Sequence, residues 1–388
     1  GITDSDICFG NKLFANETFS AINPRYIFYI YQSQSFYKSF FERMTGIIGG
    51  ISIKEFSNIP IPIPPIKQQN KIVRKIDELM TLCDQLDQKY KNSREAHIKL
   101  ANVLLDTLTQ AKDANEFKDS WQRIVNHFDI LFTNEESIDK LKKTLLQVAV
   151  MGKLVSQNPN DEPTKKLLKK NQMNEITNII KDNDKQFDIP ESWEWIRLGN
   201  YSLIERGGSP RPIQDFLTND PSGLNWIKIS DTEPNSKYIL STKEKIKKEG
   251  LYKTRMVYPG DFLLTNSMSF GRPYISKING CIHDGWLRIH PSLLMNKDFL
   301  YQLLMSPYVY ESFVKSAAGG VVQNLNVKKV RDLIIPIPPL AEQSRITTKI
   351  DELIALCDEL KSLIHKSSIK QNHIADVLVS KVLNSKEV

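Results

Sequence analysis

The sequence predicts an α+β fold in which globular domains of mixed α/β structure are joined by long coiled-coil helices. Three observations predict it: a duplicated block, a heptad pattern of apolar residues in each copy, and short β-type runs between the copies. The block at residues 61–86 recurs at residues 335–360, and sixteen of its 26 positions are identical without a gap. With a one-residue slip, the likeness extends upstream and aligns residues 26–41 with residues 299–314. The chain therefore contains one structural unit twice.

Each block opens with an Ile-Pro-Ile-Pro-Pro run and continues as a helix with a coiled-coil seam. Proline confines the run to an extended edge segment and then suits the first turn of a helix, where a backbone N–H has no helical partner. The seam positions, spaced alternately by four and three, are Ile72, Ile76, Leu79, Cys83 and Leu86 in the first copy and Ile346, Ile350, Leu353, Cys357 and Leu360 in the second. A first helix over residues 66–111 would be about 70 Å long, which suits a spacer.

The segment between the blocks changes from a helical to a β-type sequence pattern. Residues 137–154 predict an amphipathic helix, which a polar loop and a Lys- and Asn-rich linker follow. From Trp193 onward, short β-type runs such as 226–229 and 286–289 are separated by Gly, Pro and Asn. This pattern predicts an α+β domain that ends at the second Ile-Pro block.

The first copy of the unit is shorter than the second at its upstream side. The second copy continues back to about Trp193, whereas the first runs out near the start of the chain, which begins with Gly1 rather than Met. We therefore expect an N-terminally truncated fragment in which only the second domain, Trp193 to about Pro339, is whole.

Composition disfavours several classes of protein. No apolar run reaches about twenty residues and no signal peptide is present, so we expect a cytoplasmic protein with no membrane partner. The four scattered cysteines predict core residues rather than disulfides, and the six histidines lack the paired spacing of a zinc site. A net charge of +7 is compatible with a nucleic-acid partner.

Motifs spread along the chain match the pattern of one known family. Trp-Glu-Trp-Ile-Arg-Leu-Gly at 193–199 looks like the opening of a target recognition domain, and Ile-Pro-Pro-Leu-Ala-Glu-Gln at 337–343 looks like its closing signature. The first copy departs from that signature, with Lys-Gln-Gln at 67–69. Residues 145–157 are similar to the helix that opens the second half of such proteins. Together with the repeat, these motifs resemble the specificity subunit of type I restriction–modification enzymes.

The resemblance implies a fold and a function. Two target recognition domains, related by a pseudo-twofold repeat, would each read one half of a bipartite site in double-stranded DNA, and antiparallel coiled-coil helices would set the gap. Two methyltransferase (M) subunits and motor–nuclease (R) subunits would bind this subunit and use S-adenosylmethionine, ATP and Mg, while the subunit itself holds no catalytic residue, metal or cofactor. The sequence agrees, since it contains no Asn/Asp-Pro-Pro-Tyr/Phe, no Gly-rich cofactor loop and no phosphate-binding Gly-x4-Gly-Lys-Ser/Thr motif.

The resemblance also implies a division of the chain into five segments. They are the end of a first target recognition domain (1–65), a first spacer helix (66–112), a central connector (113–187) with a conserved helix at about 137–156, a second target recognition domain (188–339) and a second spacer helix (340–388).

Candidate DNA-reading residues come from the loops of the second domain. Direct reading of bases in the major groove requires Arg, Lys, Asn, Gln or Ser side chains on such loops. The candidates are Arg206, Ser209, Arg211, Lys228, Ser230, Asn266, Ser267, Ser269, Arg272, His283 and Asn324. We expect more than half of them to be ordinary turn residues, and we favour Arg206, Arg211 and Arg272 for DNA contact.

Two further features of this domain suggest phosphate contact. Gly207-Gly208, between two of the favoured arginines, offers bare backbone that can approach a phosphate closely. The basic cluster of Lys243, Lys245, Lys247, Lys248, Lys253 and Arg255 predicts either a sequence-independent phosphate contact or a solvated face.

Two other functions stay open at this point. One is a coiled-coil scaffold whose repeated domains bind protein, which the mild basicity allows. The other is an enzyme that uses a cleft of the second domain, which the lack of paired carboxylates or of a nucleophile–base arrangement disfavours.

Overall fold

A computed structural model describes residues 1–3, 8, 13–44, 50–112, 114–170, 180–233, 236–267, 271–317 and 324–384. The chain divides into two compact units, Gly1–Ala96 and His97–Val388. Within the described residues, no helix is both long enough and apolar enough to cross a membrane.

The described part of the first unit is helical. Its helices are α1 (Pro24–Gln32), α2 (Gln34–Glu42), α3 (Ile53–Ser57) and the start of α4 (Ile66–Gln110). The side chains of Asn23, Ser33 and Ser52 cap α1, α2 and α3 by accepting a backbone N–H of the first turn. Tyr26 and Ile27 of α1 and Val73 of α4 form the buried apolar cluster of this unit.

The second unit contains nine helices within its described residues. They are α5 (Ala114–Asn126), α6 (Phe128–Leu131), α7 (Glu135–Val150), α8 (Thr164–Lys170), α9 (Leu198–Tyr201), α10 (Lys297–Met305), α11 (Pro307–Ala317), α12 (Val327–Arg331) and α13 (Leu340–Asn384). Helix α7 buries an apolar face that includes Ile138, Leu141 and Leu145, and it packs against α10, α11 and α13. The amphipathic helix predicted at 137–154 is confirmed, with a start two residues earlier and an end at Val150.

Twelve strands of the second unit, counted over its described residues, form three sheets. The strands are β1 (Glu194–Arg197), β2 (Ser202–Arg206), β3 (Leu217–Thr218), β4 (Leu224–Ile227), β5 (Tyr238–Ile239), β6 (Glu244–Ile246), β7 (Arg255–Val257), β8 (Phe262–Thr265), β9 (Pro273–Ser276), β10 (Gly280–Ile282), β11 (Trp286–Pro291) and β12 (Ile334–Ile337). One five-stranded sheet has the order β3-β6-β4-β10-β7 and the other β2-β11-β8-β9-β5. The predicted α+β class is confirmed.

The second Ile-Pro run forms the edge strand that its prolines predict. Strand β12 pairs antiparallel with β1 in a separate two-stranded sheet, where Pro336 lies opposite Trp195. Proline lacks the N–H that a central strand needs, so a strand with a single paired edge is the arrangement that tolerates it. In the first unit, the matching run at 60–65 has no assigned strand.

A buried glutamine closes the repeated block of the first unit. The Gln69 side chain is fully buried. Its Oε1 accepts the backbone N–H of Asn23 at 2.8 Å, and its Nε2 donates to the carbonyl oxygens of Pro64 at 2.8 Å and Ala21 at 3.2 Å. One side chain thus joins the start of α4 to the loop before α1.

The same junction recurs in the second unit. Gln343 accepts the backbone N–H of Asn296 at 2.7 Å and donates to Pro338 at 3.0 Å and to Leu294 at 3.1 Å. The upstream partners Asn296 and Leu294 lie 273 positions after their counterparts in the first unit, whereas Pro338 in the block lies 274 positions after Pro64. The repeat with its one-residue slip is therefore confirmed.

A second polar contact repeats as well. Tyr29 of α1 donates to the Asp77 carboxylate of α4, and at the equivalent positions Gln302 of α10 donates to Asp351 of α13 at 2.8 Å. The repeat therefore preserves the way in which a short helix is held against the long one.

Three motifs that the sequence places far apart meet at the start of α13. The Glu342 carboxylate is fully buried and accepts hydrogen bonds from Trp193 Nε1 at 3.0 Å and Gln157 Nε2 at 2.6 Å. Burial raises the pKa of the Glu342 carboxyl, and these two hydrogen bonds oppose that rise. This contact ties the connector and the opening of the β-rich region to the second long helix.

Each of the two long helices has 45 residues, and α4 and α13 begin at the residues where the sequence predicts spacer helices to begin. Their role as spacers stays a prediction. Three seam residues of α13, namely Ile346, Ile350 and Cys357, are buried in the core to which α7 also contributes. Leu353 and Leu360 are half-buried against that core.

On α4 the seam is more exposed. Ile72 and Ile76 are half-buried, while Leu79, Cys83 and Leu86 are exposed. The coiled-coil pairing of the two seams stays a prediction.

Candidate nucleic-acid interface

Several strands end at the same edge of the two five-stranded sheets. Strand β11 lies between β2 and β8, with Leu287 opposite Arg206 and Trp286 opposite Thr265. The short loop at 283–285 links β10 of one sheet to β11 of the other. This loop therefore lies beside the residues that follow β2 and β8.

Asp284, in the middle of this loop, contacts four of the predicted DNA-reading residues. Ser209 Oγ donates to its Oδ1 at 2.7 Å, and Arg211 Nη2 lies 3.9 Å from its Oδ2. Its backbone carbonyl accepts hydrogen bonds from Arg206 Nε at 3.1 Å and from Asn266 Nδ2 at 2.7 Å. These five residues are called the Asp284 cluster below.

The charge state of the cluster follows from these contacts. The hydrogen bond from Ser209 lowers the pKa of the Asp284 carboxyl, partial burial opposes this, and nearby Arg206 lowers the pKa further. Asp284 is therefore ionised at neutral pH. Burial lowers the pKa of the neighbouring His283 imidazole, whose Nδ1 accepts the backbone N–H of Gly285 at 2.6 Å. The cluster thus presents two exposed guanidinium groups around one carboxylate.

The glycine pair at 207–208 has a structural reason that differs from the predicted one. A Cβ at Gly207 would lie 2.2 Å from the carbonyl oxygen of His283, and a Cβ at Gly208 would lie 2.1 Å from that of Lys253. Both are far inside contact distance with backbone atoms that cannot easily move. The space beside both glycines is filled by the protein's own backbone, so phosphate approach is not what requires them.

Lys228 and Ser230 lie next to the cluster. Strand β4 pairs in parallel with β10, and His283 N–H donates to the Ile227 carbonyl at 3.3 Å, which places the following residue, Lys228, beside the Asp284 loop. Lys228 Nζ forms a 2.6 Å ion pair with Glu244, so part of its charge is neutralised within the protein. Ser230 is exposed in the short turn that follows β4.

Three more candidates, Ser267, Arg272 and Asn324, are connected to Asn266 or to its neighbour Thr265. Arg272 closes the β8–β9 connection through its backbone, and its guanidinium lies over the Tyr274 ring at 5.4 Å. Ser267 is half-buried, and Asn324 precedes Leu325, whose N–H donates to the Asn266 carbonyl at 2.9 Å. Among the described residues, no partner binds the buried Oδ1 of Asn324. Ser269, also predicted, lies outside the described residues.

Some residues of the basic cluster predicted at 243–255 form contacts within the protein. Lys245 Nζ donates to the Pro221 carbonyl and Lys247 Nζ to the Asp215 carbonyl, each at 2.7 Å. Lys253 Nζ lies 5.4 Å from the centre of the Tyr252 ring. These contacts hold the lysine stems against the surface and leave positive charge exposed there.

Asp284 is the residue that sequence reasoning missed. The side chains that donate hydrogen bonds to base edges are cationic, amide or hydroxyl, and a carboxylate is not among them. A signal was present, since Asp284-Gly285 is a tight-turn dipeptide between two β-type runs.

The comparison with known families identifies the class of protein. The family model described as "Type I restriction modification DNA specificity domain" matches residues 1–95 and 190–371. The chain belongs to this family, and the resemblance drawn from its motifs is confirmed.

Individual relatives agree with this membership. The chain is 32% identical, over 94% of its length, to the specificity subunits of the type I restriction enzymes EcoAI and EcoEI, both from Escherichia coli. It covers 65% and 66% of those two proteins, so it spans just under two thirds of their length. One solved structure is similar in fold, and it is titled "Structural basis underlying complex assembly and conformational transition of the type I R-M system". The TM-score is 0.56 at 17% sequence identity, and the match covers 94% of this chain and 72% of that one.

Proposed function

We propose that the chain is the DNA sequence-recognition subunit of a type I restriction–modification complex and that its second unit reads one half of a bipartite DNA site. The observation that carries this proposal is the Asp284 cluster, in which arginine, serine and asparagine side chains converge on one loop. Such side chains supply the hydrogen-bond donors that read base edges in the major groove.

The arrangement suits reading rather than catalysis. The loops are anchored at paired strands, while the guanidinium groups of Arg206 and Arg211 stay exposed, the latter with 81% of its side chain accessible. The exposed lysines around β6 would supply contacts to phosphates that are independent of sequence. We propose that this subunit contributes no catalytic group and no cofactor of its own.

The long helices would act as spacers and as docking sites. A 45-residue helix is about 68 Å long at 1.5 Å per residue, which is two turns of a DNA duplex. Exposed apolar side chains on the far part of α13, including Ile374, Val377 and Leu378, offer a surface for partner helices. Two methyltransferase subunits and the motor–nuclease subunits would be those partners, and they would use S-adenosylmethionine, ATP and Mg.

A binding experiment tests the proposal. The full chain, co-purified with its methyltransferase partner, should bind duplex DNA with an affinity that falls steeply as salt rises, because phosphate contacts release counterions. Arg211→Ala or Arg272→Ala should weaken binding to the selected sequence more than to random DNA. Lys245→Ala is the matched control, since losing a phosphate contact should weaken both equally. The absence of salt-dependent DNA binding would reject the function, and equal losses from the two arginines would reject their assignment.

A second experiment tests the bipartite site in the cell. Methylated bases mapped across the genome of a host that carries the complete system should define a split motif modified once on each strand. A continuous motif would contradict the proposal. A protein-binding scaffold is disfavoured by the membership in a DNA specificity family.

A further inference from the structure

On the basis of the proposed function, we infer that Arg206 reads a guanine in the half-site and that Asp284 is the positioning residue that makes this reading selective. The inference names the base that the cluster recognises and assigns a role to an acidic residue within a DNA-binding surface. It follows from how Arg206 is held, from what fixes Asp284, and from where the negative charge lies.

Arg206 is anchored at one nitrogen and open at the other two. Its backbone is fixed at the end of β2 by pairing with Leu287 of β11. Its Nε donates to the Asp284 carbonyl at 3.1 Å, and among the described residues no protein acceptor takes its Nη1 or Nη2. The side chain is exposed. The free end of the guanidinium is therefore a fork of donors with a fixed base.

A donor fork matches guanine better than any other base. Guanine presents two acceptors, O6 and N7, side by side in the major groove, whereas adenine pairs its N7 acceptor with an amino donor. Anchoring the Nε nitrogen lowers the entropy that Arg206 would lose on binding, so the two contacts with guanine are favoured. A lysine at the same position would keep the charge but lose the fork.

The Asp284 side chain controls where the anchoring carbonyl points. Its carboxylate accepts the Ser209 hydroxyl at 2.7 Å, and the Ser209 oxygen lies 3.5 Å from the Asp284 N–H, so the two residues are doubly connected. Asn266 shares the same carbonyl at 2.7 Å. The loop at 283–285 and the Arg206 side chain are therefore already aligned in the protein without DNA.

The negative charge of Asp284 has a second consequence. Its carboxylate lies 3.9 Å from Arg211 and has 45% of its side chain exposed, so it would repel a phosphate that approached the two arginines. Contact with any DNA backbone is thereby disfavoured, while contact with the acceptor edge of a guanine keeps its full hydrogen-bond geometry. Selectivity arises because the unspecific contact is weakened.

Selection from a random duplex library tests the inference. The full chain should enrich a motif, and Arg206→Lys should lose the preference for guanine at one position of it by about tenfold while the other positions and the affinity for random DNA are retained. Asp284→Asn, which is isosteric and can still accept from Ser209, should weaken the preference at the same position and tighten binding to random DNA roughly threefold. Asp182→Asn is the matched control, because Asp182 is an exposed carboxylate that pairs with Lys185 in the connector, outside the cluster and the basic residues around β6, and its replacement should change neither quantity.

The outcomes separate the inference from the function on which it depends. If the unmodified chain enriches a motif that Arg206→Lys leaves intact, or if Asp284→Asn weakens selected and random DNA equally, the inference is overturned and the proposed function stands. If the unmodified chain enriches no motif, both are overturned. Loss at one shared position in both variants, with thermal unfolding unchanged, supports the inference.

Discussion

Replacing Gln343 by alanine should open the junction between the β-rich region and α13. The side chain is almost fully buried and makes three hydrogen bonds to backbone groups, at 2.7 Å to the N–H of Asn296 and at 3.0 and 3.1 Å to the carbonyls of Pro338 and Leu294. Alanine can replace none of these bonds. The N–H and the two carbonyls would be left without their partner in a region from which water is largely excluded.

The magnitude follows from these contacts. A hydrogen bond of this kind contributes about 1 kcal/mol net, and an unpartnered buried group costs more, so Gln343→Ala should lower the free energy of unfolding of the second unit by about 3 kcal/mol. With a urea dependence of about 3 kcal/mol per M, the midpoint should fall by about 1 M. Gln69→Ala should cost the first unit a similar amount, because its three bonds are the same.

Urea unfolding combined with hydrogen-exchange mass spectrometry measures the effect. Exchange should rise at residues 292–305 in Gln343→Ala and at residues 20–32 in Gln69→Ala. Ser344→Ala is the matched control, since the next residue is exposed and the hydrogen bonds of its side chain are long, at 3.4 and 3.5 Å. A midpoint for Gln343→Ala equal to that of Ser344→Ala would refute the reasoning.

Three further predictions concern pH, thiols and backbone contact. Burial raises the pKa of Glu342 above its ordinary 4.5, so the folded state resists ionisation of this carboxyl. The wild type should therefore lose stability relative to Glu342→Gln as the pH rises from 4.5 through the folded pKa. Urea midpoints of both proteins between about pH 4 and pH 8 check this, and a difference that stays constant with pH would contradict it. Cys83 is exposed, whereas Cys357 is buried and burial raises the pKa of its thiol. An aromatic disulfide reagent should therefore modify Cys83 quickly and Cys357 only on unfolding. Slow reaction at Cys83 would instead indicate a covered seam, as the heptad pattern predicts. Gly208→Ala would put a Cβ 2.1 Å from a backbone carbonyl and should destabilise the second unit by about 3 kcal/mol. Gly50→Ala should not destabilise the protein, since no atom of the described residues lies within 4 Å of that Cβ position. Equal thermal unfolding of the two variants would argue against the packing described.

Much of the fold could be predicted because its signals are local or repeated. Proline position and a four-and-three apolar spacing indicate a helix from residue 66, and α4 begins there and ends within one residue of the predicted end. Of the β-type runs predicted from the sequence, 286–289 lies entirely within β11, and 226–229 shares its first two residues with the end of β4. Strand order could not be predicted, because β4 and β10 pair in parallel across more than fifty residues and no local pattern encodes such a partner.

The candidate site divides in the same way. Residue types suited to base reading identified Arg206, Ser209, Arg211 and Asn266 without any knowledge of their positions. What unites them is Asp284, which lies more than seventy residues from Arg206 in sequence and meets it because β11 pairs with β2. The steric reason for the glycine pair could not be predicted either, since the backbone that fills the space beside it comes from distant loops. Its approach to a phosphate stays a prediction.

By itself, the sequence determined the duplication, the long helices, the β-rich region between them and the family, because each of these is a property of composition, spacing or likeness along the chain. The tertiary structure alone decided which loops meet and that Glu342 is buried against Trp193 and Gln157. It also decided that Asp284 meets both arginines, Arg206 at its backbone carbonyl and Arg211 at its carboxylate. The physical reason is that hydrogen bonding and burial act between atoms close in space, and strand pairing brings together residues that sequence spacing keeps apart.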